Sequence, residues 1–86
     1  MIVKLLEEIK IMKETVTNIV ADILELETDA ITETALIIDD LGADSIAVME
    51  IVMELESEYD FEVPTEDAIN LTTVAEIVSY IESKKA

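Results

Sequence analysis

The segment Asp39-Asp40-Leu41-Gly42-Ala43-Asp44-Ser45-Ile46 gathers the residue types best able to support chemistry. Gly42 is the only glycine in the chain and permits a tight backbone turn. Asp44 is a good N-cap, and Ser45 would then open a helix. A hydroxyl at that position faces solvent beside the positive end of the helix dipole. Free backbone N–H groups there stabilise an attached anion. A phosphate ester on Ser45 is therefore well placed, although Ser and Asp at helix starts are most often simply caps. No His or Lys base lies near Ser45 in sequence, and the chain has no Cys nucleophile. Enzyme activity is the least expected reading, and no catalytic residue is assigned. No metal site is expected either. An EF-hand loop numbered from Asp39 would put Glu50 correctly at position 12, but Leu41 falls on position 3 and Gly42 on position 4 rather than 6.

The elements that must hold this segment follow from hydrophobic spacing. Ile2, Leu5, Leu6, Ile9, Met12, Val16, Ile19, Val20 and Ile23 step by threes and fours, the pattern of an amphipathic helix over about 2–25. Residues 26–44 lose that period and read as a long loop, pinned by Leu26, Ile31, Leu36, Ile37, Ile38 and Leu41. A second helix is predicted from Ser45 to Tyr59, with Val48, Ile51, Val52, Leu55 and Tyr59 on one face and Glu50, Glu54 and Glu58 opposite. Between them runs a third strip of Ser45, Met49, Met53 and Glu56. Pro64 breaks the chain, and Thr65 is expected to cap a short helical turn through about Asn70. A last helix spans about Thr73 to Lys84, with capping-box spacing at Thr73 and Glu76 and a stripe of Val74, Ile77, Val78 and Ile81. The expected fold is all-α: a small bundle of three main helices and one short helix, with a long loop between helices one and two.

Composition narrows the function. The chain has 86 residues, 51% hydrophobic, and a formal net charge of −16. One domain over 1–86 is the natural reading, since this length buries a usable core but not two. The five cations, Lys4, Lys10, Lys13, Lys84 and Lys85, lie near the ends, and residues 14–83 carry 19 acids and no base. Such a surface repels nucleic acid and anionic membranes, and it favours a basic protein partner. The absence of Cys excludes disulfides and thiol chemistry from the chain itself, and the absence of Arg excludes bidentate clamping of an anionic substrate. Glu7 and Glu8 interrupt the apolar start, so it is no signal peptide, and no apolar run is longer than the four residues of Ala35–Ile38. A cytoplasmic monomer is expected.

Gly42-Ala43-Asp44-Ser45-Ile46, preceded by Asp40-Leu41, resembles the attachment motif of acyl carrier proteins, usually written with Leu after the serine. Met49-Glu50-Ile51-Val52-Met53-Glu54-Leu55-Glu56 is similar to the acid-rich second helix of these carriers. Phe61-Glu62-Val63-Pro64 resembles the stretch before their short third helix, and Leu71-Thr72-Thr73-Val74 the entry to the fourth. The likeness covers about residues 12–83 without a gap.

The resemblance implies that Ser45, flanked by Asp44, carries a 4′-phosphopantetheine arm transferred from coenzyme A by a phosphopantetheinyl transferase. The arm ends in a thiol that holds acyl groups as thioesters, so the reactive sulfur missing from the chain comes from the cofactor. It further implies that Asp44, Met49, Glu50, Met53, Glu54 and Glu56 dock basic patches on the transferase and on fatty-acid-synthesis enzymes. Such charges speed encounter more than they tighten binding. It also implies an acyl pocket lined or bordered by Met53, Leu55, Ala68 and Leu71. Three departures stand out. Ala47 replaces a common acid, Ile69 replaces a common charge, and Met1–Ile11 extends helix one beyond the family's usual start. The simplest expectation is that this extension packs its stripe on the chain's own loop; the sharper one is self-association or a dedicated partner. A carrier for polyketide or another specialised acyl pathway would share these motifs, and a purely protein-binding acidic helical adaptor, with Ser45 only a cap, is the alternative of a different class.

Overall fold

The computed structural model describes residues 2–85. Helix α1 spans Ile2–Leu24, α2 Ser45–Tyr59, α3 Thr65–Ala68 and α4 Val74–Lys85, with a single 3-10 turn at Thr28–Ala30 in the first connection. Among the described residues there is no strand.

Helix α1 packs against both α2 and α4. The seam is formed by Met12, Val16, Val20 and Ala21 of α1, Ile51, Val52 and Leu55 of α2, and Val74, Ile77, Val78 and Ile81 of α4. The stripe read from the sequence is therefore correct from Met12 onward. It does not continue as core toward the N-terminus. Ile2, Leu5 and Leu6 are exposed and Ile9 is only half-buried, so the expected packing on the loop does not occur. The extension is helical because its period is helical, but most of its apolar stripe stays exposed.

Left-handed residues end the two long helices. Glu25 (φ 57°) follows α1, where Leu26 N–H donates back to Ala21 O at 2.9 Å. Asp60 (φ 53°) follows α2, where Phe61 N–H donates to Glu56 O at 3.3 Å. Both are Schellman-type stops. The expected cap at Thr65 is absent: Pro64 occupies the N-cap of α3 and makes no side-chain cap bond. At α4 the Thr73 hydroxyl accepts from Glu76 N–H at 3.1 Å, while the Glu76 carboxylate accepts from the Thr72 hydroxyl.

The long connection is less irregular than its sequence suggests. Turns run from Leu36 to Ala43, with Asp40 N–H bonded to Leu36 O at 2.8 Å and Ala43 N–H to Ile37 O at 3.1 Å. The connection is tied to the bundle by Ile37 N–H to Thr72 O (2.9 Å), Ala75 N–H to Glu33 O (3.0 Å) and the Lys13–Glu33 ion pair (2.9 Å). Its predicted anchors divide. Ile31 and Ile37 are buried and Leu26 and Leu41 partly so, but Leu36 and Ile38 are exposed.

Candidate functional site

The turns deliver the chain to Gly42 at φ +81°, a left-handed conformation that disfavours side chains. Nothing lies within 4 Å of a Cβ placed there, so glycine is required by conformation and not by space. Asp44 then adopts an extended backbone and caps α2, its Oδ1 accepting Ala47 N–H at 2.8 Å. Its carbonyl accepts Val48 N–H at 3.0 Å. The N–H groups of Ser45 and Ile46 precede the first intrahelical acceptor and remain for an outside anion. Ser45 is the first residue of α2 and is exposed. The site thus pairs a reachable hydroxyl with a locally positive helix end.

Beside Ser45 lies a cavity of about 360 Å³ between α2, α3 and the first connection. Ile37, Ala68 and Leu71 are its buried floor, and the more exposed Leu36, Ile38, Met49 and Ile69 form its rim. Of the four residues assigned to an acyl pocket, Ala68 and Leu71 line this cavity. Met53 and Leu55 do not: Met53 is 62% exposed and Leu55 is 1% exposed within the seam. They lie two residues apart on a helix, so their side chains point some 200° apart. The sequence reading missed Leu36, Ile37, Ile38, Val48 and Thr65 at the cavity. The signal was present in Leu36-Ile37-Ile38, since three consecutive apolar residues outside a helix cannot all point inward.

The proposed docking residues are not equivalent. Asp44, Met49, Glu50, Met53 and Glu54 are exposed, and Ile46, 69% exposed, joins the same end of α2. Glu56 is half-buried, and its Oε2 accepts Val63 N–H at 2.8 Å. Behind the cavity, the Tyr80 hydroxyl donates to Asp67 Oδ2 at 2.8 Å. Among the described residues no group of His, Cys, Asp and Glu is arranged to hold a metal ion, and no helix is long and apolar enough to cross a membrane.

Known proteins share this arrangement. The phosphopantetheine attachment site family matches residues 14–81. An acyl carrier protein of Akkermansia muciniphila is 46% identical over 71 residues, 83% of this chain and 89% of that protein. One from Syntrophobacter fumaroxidans is 40% identical over 79 residues, 92% of this chain and 98% of that protein. The solved structure of the acyl carrier protein from Enterococcus faecalis superposes with a TM-score of 0.74 at 41% identity, covering 87% of this chain and 95% of that one. With the helical bundle, the capped serine and the matched residues all agreeing, the chain belongs to the acyl carrier protein family, whose cofactor is 4′-phosphopantetheine.

Proposed function

We propose that Ser45 is the attachment residue and that the protein carries acyl intermediates of fatty-acid synthesis in the cytoplasm, without catalysing a reaction itself. The observation that carries this reading is an exposed serine at a capped helix start, opening onto an apolar cavity. The residues fit the group. Asp44 fixes the first turn of α2, and the N–H groups of Ser45 and Ile46 favour a phosphodiester on the Ser45 hydroxyl. When bound, the arm supplies a thiol on which acyl groups are held as thioesters. The chain's own part is to position, shield and present. Ile37, Ala68 and Leu71 offer an apolar floor to a hydrocarbon chain and exclude water from it. This mostly apolar lining suits a saturated chain better than a polyketide, whose carbonyls would lose more hydration than the few lining hydroxyls, such as that of Thr65, could replace.

Asp44, Glu50 and Glu54 present charge to basic patches on the phosphopantetheinyl transferase and the acyl-transfer enzymes. Met49 and Met53 supply adaptable apolar contact between them. Intact mass before and after incubation with coenzyme A and a broad-specificity transferase tests the assignment. A gain of one phosphopantetheinyl group, absent in Ser45→Ala, is expected. No gain in a folded sample would favour the acidic adaptor.

A further inference from the structure

Helix α3 is the cavity wall with the least to hold it. It has four residues, too few to persist through its own hydrogen bonds. Its flanks are tied by Val63 N–H to Glu56 (2.8 Å) and by Ile37 N–H to Thr72 O (2.9 Å). Between those ties, among the described residues, one hydrogen bond joins 64–71 to another element: Tyr80 hydroxyl to Asp67 Oδ2, at 2.8 Å. Thr65, Ala68 and Ile69 line the cavity, whereas Asp67 turns away from it toward α4. The Tyr80 ring is itself held. Phe61 lies with its centroid 6.1 Å away, and Lys84 Nζ sits 5.3 Å from the ring centre. Burial, together with the Asp67 carboxylate, pushes the Tyr80 phenol up to about 12, so it remains a donor at any physiological pH.

We propose that Tyr80 is a positioning residue that, through Asp67, limits how far α3 can retreat from α2 and so sets the length of acyl chain the cavity accepts. The inference rests on the reading of that cavity as the acyl site. The other walls are stiffer: α2 is a continuous helix of 15 residues, and the Leu36–Ala43 segment is braced by its own turn bonds. A chain longer than the cavity must therefore displace α3, at the cost of the Asp67–Tyr80 bond. A chain that fits leaves the bond untouched, so its loss should matter only beyond a threshold length.

Hexanoyl-, decanoyl- and tetradecanoyl-loaded protein should be compared for the wild type, Tyr80→Phe, Asp67→Ala and Asp67→Asn, with amide exchange measured on the unloaded forms. The amides of Ile69, Asn70 and Leu71 are expected to exchange about tenfold faster in Tyr80→Phe and Asp67→Ala, the effect of losing one hydrogen bond to a charged group. Chemical-shift changes at Ala68, Ile69 and Leu71 should level off with chain length in the wild type and keep growing to tetradecanoyl in those two variants. Asp67→Asn keeps an acceptor for the hydroxyl and should follow the wild type. Unchanged exchange, or the same levelling in a Tyr80→Phe protein of intact melting temperature, would overturn the proposal while leaving the acyl site standing. If no chain perturbs these residues in the wild type, the acyl-site reading fails and the proposal with it.

Discussion

Glu56 lies in helical register with Met49 and Met53, yet part of its carboxylate is committed to Val63 N–H. Glu56→Ala would leave that part-buried donor without a partner and should lower stability by about 1.5 kcal/mol, whereas Glu56→Gln keeps an acceptor and should lose less. Chemical denaturation separates the two, and equal losses would show that the bond contributes nothing. Tyr80 carries a pH signature of its own. Its phenol is held above the ordinary value of 10.0, at about 12, by burial and by Asp67. A folded-state pKa above the unfolded one contributes stability that is complete below pH 10 and is lost as pH rises toward 12. The unfolding free energy should therefore fall across that window, and Tyr80→Phe should flatten the fall. An identical slope in the variant would assign the loss to other groups.

At the scale of elements, the two helix stops differ in cost. Asp tolerates the left-handed region better than Glu, so Asp60 suits its place and Glu25 does not. Glu25→Gly is expected to raise stability by about 1 kcal/mol, read as a shift in denaturation midpoint at constant slope. The first three turns of α1 lie at the other extreme. Ile2, Leu5, Leu6 and Ile11 are all more than half exposed, and the buried seam begins only at Met12. A chain starting at Met12 should keep its fold, with stability within about 0.5 kcal/mol of the full protein, and should aggregate less. A large loss of stability on truncation would mean that the extension is covered in solution.

Across the whole molecule, charge of one sign works against compactness. Net charge is −16, and among the described residues the one ion pair is Lys13–Glu33. Exposed charges of one sign destabilise the compact state, and salt screens them over about 8 Å at roughly 0.15 M. The melting temperature should rise with added sodium chloride, and further with Mg²⁺ at equal ionic strength through loose association with the acidic faces. A melting temperature indifferent to both would place the charges too far apart to matter. Under the proposed function, the charge that costs stability would also speed encounter with basic partners.

Local sequence was enough for the helices, the capped serine and the character of the surface. Asp44 and Ser45 mark the start of α2, and the spacing of Val48, Ile51, Val52 and Leu55 marks its buried side, because a cap or a helical period is complete within a few residues. Long-range packing was needed to select which apolar residues found cover. Ile9 and Met12 belong to one stripe, but only Met12 is fully buried. Leu36, Ile37 and Ile38 are alike in composition, and the turn around them sends one into the core and two to the rim of a cavity. Glu56 matched the exposed acids of α2 until the α2–α3 connection folded back and offered it Val63 N–H. Met12 owes its burial to helices distant in sequence, whereas the sorting of Leu36–Ile38 and the capture of Glu56, seven residues from Val63, depend on how the chain turns back on itself, which helical periodicity does not record.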